Sequence, residues 1–141
     1  MKVIVDTSVW SLALRRKSPP PLHAGLLADI IADGRAVLPG VIRQEILSGI
    51  RHREQWERLQ QQLRAFPDLP MQIDDHEMAA EFFNICMRNG LQGSHTDFLI
   101  CAMAHRRNFK IFTTNPDFDR YKRHLPIELL KPEGKTTDPT P

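Results

Sequence analysis

KVIVDTSVW, residues 2–10, runs three apolar residues, Val3, Ile4 and Val5, straight into a carboxylate, Asp6, and two hydroxyls, Thr7 and Ser8. So short an apolar run, bounded by polar residues, predicts a strand buried on both faces. Such strands belong to parallel sheets covered by helices, so the stretch predicts an α/β layer fold. It also predicts a place for a charge. In open α/β sheets ligands bind beyond the carboxyl ends of the strands, and Asp6 stands at such an end.

The rest of the chain repeats the alternation. AVLPG (36–40), KIFTT (110–114) and IELL (127–130) read as further short strands, and MQI (71–73) as another. The pattern thus predicts about four to five short parallel strands flanked by helices. Thr7 or Ser8 is placed to cap a first helix through about Leu14. RRKSPPP (15–21) is a basic, proline-rich loop. Leu26, Leu27, Ile30 and Ile31 mark one face of a helix over about 23–33, which Gly34 ends. A short helix follows at 41–50. Trp56, Leu59, Leu63 and Phe66 set another over 52–66, which Pro67 stops. A helix from Asp75 to Asn89 is closed by Gly90, and one capped by Ser94 or Thr96 runs to about Arg107. That last helix carries FLICAMA (98–104), apolar all round, which predicts a central position. Residues 1–130 read as one domain. KPEGKTTDPTP (131–141) has no large hydrophobe and reads as a disordered tail.

Composition narrows the classes. The chain has 141 residues, 41% hydrophobic and 26% charged, with a formal charge of +2. It is an ordinary globular composition, so nucleic-acid contact would have to come from local basic clusters. Those are Arg15–Lys17, Arg51–Arg53, Arg106–Arg107 and Arg120–His124. Cys86 and Cys101 lie in apolar helical patterns without CxxC spacing, as small buried hydrophobes in a reducing compartment do. Asp6 interrupts any signal-peptide core, and FLICAMA is too short to span a bilayer. A cytoplasmic protein with no membrane partner is expected. The histidines lack HExxH spacing, which argues against zinc. There is no glycine-rich phosphate loop, no GxSxG elbow, and no Asp-x-Asp after the first strand, since position 8 is Ser.

Four carboxylates border apolar structure: Asp6, Glu45, Asp97 and Asp117. Each alone has a plain structural role: Asp6 as a helix cap, Glu45 as a solvated helix residue, Asp97 in a first helical turn, Asp117 in a turn after Pro116. Together, if the sheet is parallel, all four can converge at one edge. Crowded carboxylates repel and raise one another's pKa. Oxygen ligands without histidine or cysteine favour Mg²⁺ or Mn²⁺, ions that polarise phosphoryl oxygens and activate water.

Four segments, VIVDTSVW, LPGVIRQEILSG, GSHTDFLICAMA and IFTTNPDFDRY, in this order and spacing, resemble the PIN-domain family, in particular ribonuclease toxins of the VapC kind. The likeness covers roughly residues 1–130. It implies a PIN fold and Mg²⁺- or Mn²⁺-dependent endoribonuclease activity. By motif position, it makes Asp6, Glu45 and Asp97 metal-binding acids, and Thr7, Ser8 and Thr113 supporting polar residues. Asp117 is expected to complete the acid set. The family pattern near the end, Thr-x-Asp-x-Asp-Phe, reads Thr113-Thr114-Asn115-Pro116-Asp117-Phe118 here, with Asn115 in place of the first acid. An RNA substrate, a homodimer and a small antitoxin that blocks the acidic site are further implications. Two rival readings fit the same motifs: an RNA-processing PIN nuclease without an antitoxin, and a PIN-like scaffold that binds RNA or protein without cutting.

Overall fold

A computed structural model describes residues 1–15, 18 and 20–133. The proposed tail from residue 134 onward, and Arg16 and Lys17 of the first basic cluster, lie outside the described residues. In chain order the elements are β1 (Val3–Val5), α1 (Thr7–Arg15), α2 (Pro21–Ala32), β2 (Ala36–Pro39), α3 (Gly40–Leu47), α4 (Arg53–Leu63), β3 (Asp68–Leu69), α5 (Ile73–Arg88), α6 (His95–Arg107), β4 (Lys110–Phe112) and α7 (Asp117–Tyr121). The strands form one four-stranded sheet in the order β3-β2-β1-β4, and every pair is parallel. This is the expected α/β fold, with a parallel sheet flanked by helices.

β1 is central because every one of its side chains is apolar and fully buried. It pairs on one side with β2, Val3 opposite Ala36, and on the other with β4, Val5 opposite Phe112. β2 ends at Pro39, which cannot give an N–H to a continuing ladder, and the chain turns into α3. α6 is buried from Phe98 through Ala104 without a break, as its all-apolar pattern predicts. Cys86 and Cys101 are free and buried in the same core. Gly34 and Gly90 take left-handed φ values of 68° and 75° after α2 and α5. Among the described residues no helix is long and apolar enough to cross a membrane.

Two expected strands resolve differently. Residues 71–73 do not join the sheet: β3 lies earlier, at Asp68–Leu69, beside Leu38 and Pro39. The reason is a helix start. The Gln72 amide donates to Asp75 Oδ2 at 2.8 Å, so α5 begins at Ile73, whose side chain points into solvent. IELL makes a single parallel bridge, Leu129 to Ile111, rather than a full strand. Its backbone still accepts from and donates to Ile111, at 2.9 and 2.8 Å.

Two arginine-centred contacts fix the helices around the sheet. Arg43 of α3 donates to the carbonyls of Leu63 and Phe66, at 2.9 and 3.3 Å, and so ties α3 to the end of α4. Asp75 of α5 is fully buried, yet it accepts from Arg107 Nη1 and Nη2 at 2.8 and 2.9 Å and from Arg106 Nη1 at 2.6 Å. Burial alone would raise the Asp75 pKa. The bonds from Arg107, the Gln72 amide and Arg106 outweigh it and hold the carboxyl well below the usual carboxylate range. This clamp binds the start of α5 to the end of α6. It also engages Arg106 and Arg107, one of the basic clusters of the sequence, in an internal contact.

Removing one partner of a buried ion pair strands the other, at a cost of about 3 kcal/mol. Asp75→Ala is therefore expected to destabilise the fold by about that much, read by urea unfolding at neutral pH. A loss below about 1 kcal/mol would show the clamp to be dispensable. Because the folded pKa is depressed, the contribution of Asp75 is present above the unfolded value of about 4. It is lost as pH falls below that value toward the folded one. The gap between wild type and Asp75→Ala should close over that acid range.

Candidate active site

The connections of the sheet leave β1 to opposite sides: β2 and β3 extend one way and β4 lies on the other. The crevice beyond the carboxyl ends of β1 and β4 is a topological switch point. Asp6 follows β1 directly, and its amide continues the ladder by donating to the Phe112 carbonyl at 2.8 Å. Its own carbonyl accepts from the amides of Val9 and Trp10, so Asp6 is the residue from which α1 springs. Trp10, buried, donates from Nε1 to the Val5 carbonyl at 3.1 Å and locks that turn.

The Asp6 side chain is 6% exposed and is held by two hydroxyls. Ser8 Oγ donates to Asp6 Oδ2 at 3.0 Å and Thr113 Oγ1 donates to the same oxygen at 2.8 Å. Each hydroxyl has one proton, so both protons are spent on Asp6. Their lone pairs then accept the amides of Thr114 and Asn115, each at 3.0 Å. Ser8 and Thr113 thus join β1 to β4 beyond the sheet, and Ser8 does this in place of the helix capping expected of it. Both bonds land on Oδ2, which leaves Oδ1 as the oxygen for a ligand.

Glu45 comes from α3, and its Oε1 accepts the Thr7 hydroxyl at 2.7 Å. Asp97 comes from the first turn of α6. Ser94 caps that helix by accepting the Asp97 amide at 3.0 Å. The Asp97 carboxylate accepts the Tyr121 hydroxyl on Oδ2 at 2.8 Å. Asp6, Glu45, Asp97, Thr96 and Asn115 line one open cleft of about 660 Å³, together with Thr7 and Ser8. Among the described residues no lysine or arginine lines it. Burial raises the Asp97 pKa, and the charges of Asp6 and Asp117 raise it further against the bonds from Tyr121 and Ser94. The cleft is short of positive charge.

Asp117 is placed differently. It begins α7, its carboxylate is paired with Arg120, and its amide donates to Asn115 Oδ1 at 3.0 Å. It stands near enough to Asp97 to act on it by charge. Asn115 therefore serves as the turn residue that starts α7, with its amide oxygen already taken.

Among the described residues no group of three or more Asp, Glu, His or Cys side chains is placed to hold a metal ion by itself. Oxygen donors of this kind are of the type that hard divalent cations take. Mg²⁺ commonly needs only one or two carboxylates and keeps its remaining positions for water and substrate oxygens, and an open acidic cleft suits that habit.

Two site residues escape a reading of the sequence alone. Tyr121 is 1% exposed and packs against Phe98 and Phe118 while its hydroxyl holds Asp97. Burial and the Asp97 carboxylate both push its own pKa up, so it stays a donor. Gly93 lies against that ring: a Cβ there would overlap the Tyr121 hydroxyl and stand 2.8 Å from Phe98 Cζ. The one available hint is that the chain's single tyrosine sits in an otherwise polar stretch, DRYKRH.

The model of the PIN domain family matches residues 3–124. The chain belongs to the PIN domain family. No curated protein matches it in sequence. Among solved structures, this PIN domain is similar to a chain of FitAcB from Neisseria gonorrhoeae, with TM-score 0.75 and 17% identity, covering 92% of this chain and 97% of that one. It is similar to a chain of VapBC2 from Rickettsia felis bound to a promoter DNA fragment, with TM-score 0.74 and 17% identity over 93% and 98% of the two chains. A toxin–antitoxin complex from Klebsiella pneumoniae contains a chain of TM-score 0.66 and 17% identity, over 83% and 90%. At these identities the likeness is one of fold.

Partners that orient a metal-binding group typically change affinity 10- to 100-fold when lost. Tyr121→Phe keeps the ring and removes the bond to Asp97, so it is expected to weaken Mn²⁺ binding by about tenfold in calorimetry while the protein stays folded. Gly93→Ala, which displaces the same ring, should weaken binding and also lower the melting temperature. Unchanged Mn²⁺ affinity in Tyr121→Phe would make the tyrosine a packing residue only.

Proposed function

We propose that this PIN domain is a metal-dependent endoribonuclease that hydrolyses RNA phosphodiester bonds and acts as the toxin of a toxin–antitoxin pair. The observation that carries the nuclease reading is the meeting of Asp6 after β1, Glu45 of α3 and Asp97 of α6 in one cleft that, among the described residues, no lysine or arginine lines. Bound Mg²⁺ or Mn²⁺ would polarise a phosphoryl oxygen, activate water and offset the negative charge that develops in the transition state. Asp6 Oδ1 and the carboxylates of Glu45 and Asp97 are the atoms that would hold it. Ser8 and Thr113 fix Asp6, Thr7 fixes Glu45, and Tyr121 fixes Asp97. Asp117 adds negative charge from the rim, while Asn115 shapes the turn between β4 and α7.

The toxin reading draws on the VapC-like motifs and on the fold shared with chains from toxin–antitoxin and VapBC assemblies. A small antitoxin that covers the acidic cleft, and a homodimer, belong to that proposal, as does a cytoplasmic site of action. An antitoxin group able to neutralise the cleft would be a lysine or arginine, since the charged residues that line it, among those described, are all acids.

Incubation of the protein with total RNA, with and without Mg²⁺ or Mn²⁺, followed by mapping of the new ends, tests the activity. Discrete metal-dependent cuts are expected from wild type and none from Asp97→Asn, with both proteins equally folded. Near-normal cutting by Asp97→Asn would leave Asp97 as a helix-start residue and overturn the acid set.

A bound ion should also relieve the repulsion in the cleft. At about 100 times Kd the expected stabilisation is about 2.7 kcal/mol, seen as a rise in melting temperature on replacing EDTA with Mn²⁺. In the same assay Asn115→Asp, which keeps the turn and adds a charge, should lower the half-saturating Mn²⁺ concentration. Asp117→Ala should raise that concentration, and Asp119→Ala should leave it unchanged. If Asp119→Ala is the damaging change instead, the roles in this segment must be exchanged.

A further inference from the structure

Beside the acidic cleft, α5 and α6 leave a second pocket of about 280 Å³ between them. His76, Phe83 and Asn84 of α5 face His95, Thr96 and Leu99 of α6 across it. Thr96 lines this pocket and the acidic cleft alike, so the two cavities meet at the first turn of α6. His95 is exposed, and its imidazole stacks on the Phe83 ring with centroids 5.0 Å apart and planes 14° from parallel. Phe83 is braced edge-on by Phe98 at 5.7 Å, and Phe98 packs on Tyr121 at 5.0 Å. A flat aromatic surface is thus built on the same stack that orients Asp97.

We propose that this pocket is a nucleobase subsite, which takes the base next to the phosphate held at the acidic cleft. The inference rests on the ribonuclease reading above. Single-stranded RNA is recognised by bases splayed onto aromatic side chains, and His95 offers such a plane, already supported from behind by Phe83. The Asn84 amide carries both a donor and an acceptor and meets the edge of the base. The small side chains of Ala79 and Ala80 keep the pocket open on the α5 side. An aliphatic side chain from a protein partner would instead have to strip water from two imidazoles and an amide without replacing their hydrogen bonds. The mixture of stacking surface and hydrogen-bonding groups therefore favours a base, and the shared wall at Thr96 sets it beside the cleft.

The test uses short RNAs spanning a mapped cut, each with one abasic ribose at a position flanking the scissile phosphate. Wild type, His95→Ala and Ala80→Trp are compared, the last filling the pocket from an exposed helical position. For wild type, one flanking abasic site should raise KM about tenfold, within the range of base–aromatic stacking, with little change in kcat. Each variant should show a similar rise on intact RNA and almost no further loss on the abasic RNA, with Mn²⁺ affinity unchanged. Losses that multiply, or indifference to every flanking base, would overturn the subsite while leaving the nuclease reading intact. So would a change of oligomeric state in Ala80→Trp by sedimentation, which would give the pocket to a second copy of the chain. Failure of wild type to cut any RNA would remove the nuclease reading itself, and the subsite with it.

Discussion

The hydroxyls of Ser8 and Thr113 on one oxygen of Asp6 are the contact on which the rest of the site depends. Each comes from a different side of the switch point, one after β1 and one after β4, and neither strand positions the carboxylate without the other. A buried carboxylate needs hydrogen-bond donors. Here two hydroxyl protons meet it on one oxygen, Oδ2, and fix its direction. The amides of Thr114 and Asn115 then bind the lone pairs of the same hydroxyls. Local backbone, side-chain orientation and charge are settled by one small network.

Around that network the molecule arranges its charges in two opposite ways. Asp75 is neutralised internally by Arg106 and Arg107, which makes it a structural acid despite its full burial. Asp6, Glu45 and Asp97 are given hydroxyl donors and, among the described residues, no lysine or arginine in the lining of their cleft. Hydroxyls fix direction without cancelling charge. The result is a set of aimed oxygens, and at Asp97 burial, with smaller contributions from the charges of Asp6 and Asp117, pushes the carboxyl pKa up.

The aromatic stack from Tyr121 through Phe98 to Phe83 and His95 gives the site its stiffness. It runs from the Asp97 carboxylate to the exposed wall of the second pocket. Gly93 is what lets it close, since any side chain there meets the Tyr121 hydroxyl. Two cavities with different chemistry, one acidic and one aromatic, in this way share one wall, the start of α6.

Much of this was determined by the sequence. Three buried residues before Asp6, the all-apolar body of FLICAMA and the glycine stops required an α/β sheet with a central helix, because hydrophobic patterning is a local property of the chain. The acids at strand and helix ends pointed to one edge for the same reason. Other features were decided only in three dimensions. That residues 71–73 lead into a helix at Ile73 rather than forming a strand goes with the burial of Asp75, whose arginine partners lie more than thirty residues away in α6. That Asn115 lines the cleft while Asp117 turns to Arg120 depends on the geometry of one turn. The roles of Tyr121 and Gly93 arise from packing between segments distant in sequence, and no spacing rule encodes them. Periodicity reports which face of an element is buried, but the atom a buried side chain meets is set by the way the elements are stacked.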